Sequence, residues 1–233
     1  VINIEELASK IQQQGYSEQN AEAKLCQDIL LSLISKSSLS RNITVKGGVV
    51  MRSISGNIRR ATQDLDIDFI KYSLTDDGII RFVDKLNGTE GIRIEIVGKI
   101  EQLKHQDYHG KRVQLEISDT YGNSFICKVD IGVHKNLQIE QDEFCFDLGC
   151  QEDGVSLLIN SREQMVTEKI RSILKFGRLS TRFKDVYDIC YLIKEINEDR
   201  LRQCFDVYIF EDLGMKENTM QDIYRRISST IFK

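Results

Sequence analysis

Asp64, Asp66 and Asp68 recur at every second position of RRATQDLDIDFI, residues 59–70, with Leu65, Ile67 and Phe69 between them. Such alternation marks a β-strand with one apolar face, and it lines three carboxylates along the other. Like charges in a row repel, so the pattern asks for a compensating cause. Residues two apart on a strand are roughly 6.5–7 Å from one another, close enough for two side chains to converge on a divalent cation. Hard oxygen donors suit Mg²⁺, which takes one or two carboxylates and completes its shell with substrate phosphates and water. An edge strand kept soluble by its charges has the same pattern, and the stretch alone leaves both readings open.

Three further places invite phosphate or metal chemistry. Gly47-Gly48 follow the extended piece NITVK and precede VVMRSIS, which suits one or two helical turns. Paired glycines let backbone N–H groups approach a phosphate and a following helix N-terminus favours an anion, although an ordinary strand-to-helix turn uses glycine too. Asp130 interrupts the apolar alternation of CKVDIGV. A carboxylate there is costly unless it is paired or bound to metal, so it is either an inward salt bridge or a third ligand from a neighbouring strand. Lys169 flanks an apolar face made of Met165, Val166, Ile170, Ile173 and Leu174. Its stem could simply cover that face while the amine reaches water. Just beyond, RLSTRFKDVYDICYL carries Arg178, Arg182, Lys184, Asp185 and Asp188. Lys184 and Asp188 have the spacing of a surface ion pair, and Asp185 shares a helical face with Asp188, an arrangement that calls for a nearby cation.

The elements that must position these residues follow from periodicity. Two amphipathic helices span Ile4 to Gln14 and roughly Glu18 to Ser35, and TDDGIIRFVDKLN forms another with Thr75 as N-cap. From Ile92 to Asp147 the chain alternates as strands: IRIEIVGKI, KRVQLEIS, SFICKVDIGV and FCFDL. Helical periodicity takes over near residue 155. Ser161 and Gln164 have capping-box spacing before MVTEKIRSILKF, and three more helical stretches follow. The expected fold is α+β: a mixed sheet with flanking helices over 1–155, then a helical region over 156–233.

Composition narrows the function. The 233 residues carry a net charge of −4, so no global basic field draws nucleic acid and a phosphate-bearing partner needs a local cluster. Arg59, Arg60, Lys175, Arg178, Arg182 and Lys184 supply one around the motifs. Six cysteines lack CxxC spacing, so buried free thiols are expected. The three histidines lack zinc-site spacing. No apolar run is long enough to cross a bilayer and VINIEELASKIQQQ is amphipathic rather than signal-like, which makes the cytoplasm the expected location.

Taken in order, KGGVVMR, RRATQDLDID, VDIG, EKIRSIL and RFKDVYDICYL resemble the AbiEii/AbiGii toxin family of nucleotidyltransferases, within the DNA polymerase β-like superfamily. The similarity spans roughly residues 43–195. It implies a transferase that moves an NMP from an NTP to an RNA acceptor, tRNA foremost, as the toxin of an abortive-infection, phage-defence pair with a cognate antitoxin. A related enzyme acting on an aminoglycoside-like small molecule or a protein hydroxyl is the alternative. On this resemblance Gly47, Gly48 and Arg52 serve the nucleotide. Arg60 and Thr62 bring Asp64 and Asp66 onto the family's R-x-T-x-D-h-D pair, with Asp68 one strand step beyond. Asp64, Asp66 and Asp130 would hold Mg²⁺ or Mn²⁺, and Lys169 would neutralise triphosphate charge. Asp185 would position Lys169 or an arginine, or contact the sugar. Arg178, Arg182 and Lys184 are the expected RNA contacts.

Overall fold

Side-chain caps start the first helices. Asn3 accepts the Glu6 N–H to open α1 (Ile4–Gln13), and Ser17 accepts the Asn20 N–H to open α2 (Glu18–Lys36). The computed structural model describes residues 2–87, 91–103, 110–177 and 183–231. They divide into two compact units, Val1–Lys135 with Gln141–Ile159 and Asn136–Glu140 with Asn160–Lys233.

The first unit holds a mixed sheet of seven strands among the described residues. The strands are β1 (Ile43–Lys46), β2 (Asp64–Phe69), β3 (Ile92–Leu103), β4 (Gly110–Asp119), β5 (Ser124–Val133), β6 (Asp142–Phe146) and β7 (Val155–Ile159). Their order across the sheet is β3-β4-β5-β2-β1-β7-β6. β2 runs antiparallel to β1 and parallel to β5, and β1 is parallel to β7. The aspartate strand is therefore central, not an edge. Leu65, Ile67 and Phe69 are fully buried, and the Phe69 ring meets Phe82 of α4 (Asp76–Leu86) edge-on at 5.3 Å. With that face in the core, the period of two sends the aspartates to the opposite one. Thr75 caps α4 through the Gly78 N–H, as its position predicts.

β7 was not expected: VSLLI is a short apolar run, which periodicity cannot distinguish from a piece of buried helix. Sheet structure thus continues to Ile159, while Asn136–Glu140 group with the helices. The second unit contains α5 (Arg162–Phe176), α6 (Phe183–Leu192), α7 (Glu198–Phe205) and α8 (Met220–Arg226). Ser161 caps α5 through the Gln164 N–H. Leu174, Phe205, Ile209 and Ile223 form its core. All six cysteines are free, with Cys26, Cys127 and Cys204 buried. No helix among the described residues is long and apolar enough to cross a membrane.

Candidate active site

Strand register assembles an acidic face from four neighbouring strands. Asp66 lies opposite Lys46 of β1 on one side and beside Asp130 of β5 on the other. Asp130 in turn faces Arg112 of β4. Asp64, Asp66, Asp68 and Asp130 therefore share one surface with these two cations. The cations are not spread evenly. Lys46 Nζ lies 2.7 Å from Asp68 Oδ1, both groups largely buried. Arg112 grips Asp130 with two prongs, Nε to Oδ1 at 2.6 Å and Nη2 to Oδ2 at 2.8 Å. Its Nη2 also donates to Asp64 Oδ2 at 3.3 Å. Bidentate, charge-assisted pairs of this kind are the strong ones.

Asp66 carries the cost of the arrangement. Burial first, offset by Lys46 and then reinforced by Asp130, Asp64 and Asp68, pushes its carboxyl up to about 6. The Lys46 charge thus falls short of offsetting burial and the three neighbouring carboxylates.

Glycine makes room for these carboxylates. Gly47 turns the chain with φ +70°, and a Cβ there would strike Asp66 Oδ2. A Cβ on Gly48 would come within 2.7 Å of Thr62, and one on Gly132 would strike Asp68 Oδ1. The expected motif residues Gly47, Gly48, Thr62 and Asp66 are thus packed directly on each other. The glycines open α3 (Gly47–Ser55) rather than preceding it, and no side chain of the N-cap residue, Lys46, bonds its first turn. Backbone N–H groups at a helix start beside a metal-type acid cluster suit a phosphate.

Arg52, expected from the resemblance to serve the nucleotide, has close partners on α2. It is buried, donates from Nη1 to Gln27 Oε1 at 2.7 Å, and lies 3.8 Å from Asp28 Oδ1. Its guanidinium thereby ties α3 to α2. Gln27 completes the brace by donating from Nε2 to the Thr62 carbonyl at 3.0 Å, just ahead of the aspartates. Neither Gln27 nor Arg112 was singled out in the sequence. Arg112 was within reach, because a hairpin closed at DTYGN pairs Ser118 with Ser124 and, counting outward, Arg112 with Asp130.

In the second unit, Lys169 of α5 meets both carboxylates of α6, Asp188 at 2.7 Å and Asp185 at 3.2 Å. The cation that the Asp185–Asp188 spacing called for is Lys169, and its amine is engaged rather than merely snorkelling. Lys184 is exposed at the start of α6. Arg178 and Arg182 lie outside the described residues.

Among the described residues, no three His, Cys, Asp or Glu side chains converge as a ready-made metal cage. The donor set nevertheless fits Mg²⁺ or Mn²⁺: hard carboxylates in register on adjacent strands, glycines leaving space over them, and one buried carboxyl whose charge Lys46 only partly offsets. A mixed sheet with an acid pair on a central strand, a glycine turn over it and a helical unit defines a nucleotidyltransferase-type protein. The model of the family described as nucleotidyl transferase AbiEii toxin, type IV TA system, matches residues 28–227, and the chain belongs to that family. The family's toxins have a cognate antitoxin. No curated protein matches the chain.

Proposed function

We propose that this protein transfers an NMP from an NTP to an RNA acceptor, tRNA foremost, in a reaction dependent on Mg²⁺ or Mn²⁺, and that a cognate antitoxin restrains it. The observation that carries the reading is the register that sets Asp66 beside Asp130, with Asp64 two residues along the same strand and Gly47 packed against Asp66.

Asp64, Asp66 and Asp130 would hold the metal, which when bound supplies the positive charge that eases deprotonation of the acceptor hydroxyl and departure of pyrophosphate. The chain's own groups do the rest. The first N–H groups of α3 bind a donor phosphate, while Gln27 and Arg52 keep that helix and the start of β2 in place. Asp130 takes the proton of the attacking hydroxyl or orients that hydroxyl, which requires that Arg112 release at least one of its oxygens. Lys169 offsets triphosphate charge, with Asp185 and Asp188 fixing the amine. Arg178, Arg182 and Lys184 contact the RNA backbone. Acting in the cytoplasm, such an enzyme would disable its host's RNA during phage attack.

The test is incubation of purified protein with each labelled NTP and total RNA, in Mg²⁺ and in Mn²⁺. Label on tRNA-sized RNA is the expected result. Label on protein or on an aminoglycoside-like compound, with none on RNA, would change the acceptor. No transfer to any acceptor would overturn the reading.

A further inference from the structure

The acidic face already contains a cation that spans two of its carboxylates. Arg112 occupies both oxygens of Asp130 and reaches Asp64 with the same guanidinium, so one group bridges the carboxylates of two strands. We propose that Arg112 is a built-in competitor of the divalent metal: its guanidinium fills the seat between Asp64 and Asp130, and metal is taken up only as that guanidinium is displaced. This rests on the metal-dependent reading above and adds how metal loading would be controlled.

Three observations lead here. First, a metal on Asp130 and the guanidinium in its present place would set two cations against one carboxylate, and their repulsion is strong at a site only 10% exposed. Second, the two cations of the face differ in freedom. Lys46 is 14% exposed and pairs with Asp68, whereas Arg112 is 33% exposed and can swing toward water without unpairing β4. Third, the acids do not converge as a cage while Arg112 spans two of them. An arginine keeps its proton throughout the accessible pH range, and its bond to Asp130 raises its pKa further, so competition rather than titration must release it. A donor triphosphate offers the freed guanidinium another two-pronged partner, which would couple metal loading to arrival of the nucleotide.

The experiment is Mn²⁺ binding followed by electron paramagnetic resonance, without nucleotide, on wild type, Arg112→Gln and Arg112→Lys. Arg112→Gln should bind Mn²⁺ roughly tenfold or more tightly than wild type, the scale of a charge-assisted contact. Arg112→Lys, which keeps the charge but not the fork, should fall between. If the glutamine variant does not fold by circular dichroism, the wild-type Arg112 Nε–H resonance decides. Saturating Mg²⁺ should shift it and speed its exchange with water. Equal or weaker Mn²⁺ binding by a folded Arg112→Gln, or an Nε–H signal unmoved by Mg²⁺ where that signal decides, would make Arg112 a fixed brace and overturn the proposal. Absence of Mn²⁺ binding to every variant, even with NTP, would remove the metal-dependent reading itself, and the competitor with it.

Discussion

On the sheet, Asp64, Asp66 and Asp68 from β2 and Asp130 from β5 share a face with Lys46 from β1, which pairs with Asp68, and Arg112 from β4, which pairs with Asp130 and Asp64; in the helical unit, Lys169 of α5 meets Asp185 and Asp188 of α6. In the first group the backbone ladder sets the spacing, and carboxylates stand side by side whether or not charge favours it. In the second, one lysine bonds two buried acids and supplies charge that offsets their burial. Removing the Asp66 carboxylate from the sheet should relieve a cost, while removing the lysine should create one. The lesson is that equal-looking charge clusters can have opposite signs in the stability of the fold. A cluster that costs stability is kept for another reason.

The sharpest test of that contrast is activity. Asp64→Asn and Asp66→Asn should each lower NMP transfer by about 10³-fold or more while leaving far-ultraviolet circular dichroism unchanged. Wild-type turnover in Asp64→Asn together with loss in Asp68→Asn would move the functional pair to Asp66 and Asp68.

Next comes the lysine. Asp188 is 0% and Asp185 9% exposed at the side chain, so Lys169→Ala removes the shared cation of two buried acids. A loss of about 3 kcal/mol in urea unfolding is expected, with Lys169→Arg recovering much of it. An unchanged urea midpoint would erase the difference between the clusters.

Asp66→Asn should act in the opposite direction. Its carboxyl has an ordinary value of 3.8 and titrates near 6 in the folded chain, so the native state holds the proton more tightly. The resulting stabilisation is fully present below about pH 4 and is lost as the pH rises through about 6. In metal-free buffer at pH 7 the asparagine variant should therefore be more stable by about 2 kcal/mol, with its advantage shrinking toward pH 4. Thermal melts across that range measure it, and a variant less stable than wild type at pH 7 would contradict the account.

The smallest effect separates strain from contact. Gly56 has φ +61° with nothing near its would-be Cβ, and Gly47 has φ +70° with Asp66 against it. Either alanine should cost about 1 kcal/mol for the left-handed backbone. A Cβ at Gly47 would also crowd Asp66 Cγ and Cβ, at 2.9 and 3.1 Å, which the central strand holds in place, so Gly47→Ala should lose more stability than Gly56→Ala. Only Gly47→Ala should slow transfer, by about tenfold, because it misplaces a metal ligand. Equal transfer by both would detach the glycine pair from the acidic face.

Much of this was legible locally. Alternation in DLDIDF separated the carboxylate face from Leu65, Ile67 and Phe69, and the buried side is the one expected. Thr75 and Ser161 cap the helices they were expected to cap, because a cap needs only its own first turn. β7 escaped because five apolar residues have no decisive period. The bracing of Arg52 was not legible because its partners, Gln27 and Asp28, lie on a helix more than twenty residues earlier. A motif position carries no record of such a partner.

By itself the sequence determined which residues bear charge, which face of each element they occupy, and the order of motifs that places the chain among the AbiEii toxins. Those are properties of one strand, one helix turn or one motif at a time. Only the tertiary structure decided that Lys46 pairs with Asp68, that Arg112 lies across Asp130 and reaches Asp64, and that Lys169 bonds Asp185 and Asp188. The physical reason is that charge acts through distance between elements, and that distance follows from which strands become neighbours and in what register. Periodicity along a single strand does not contain it.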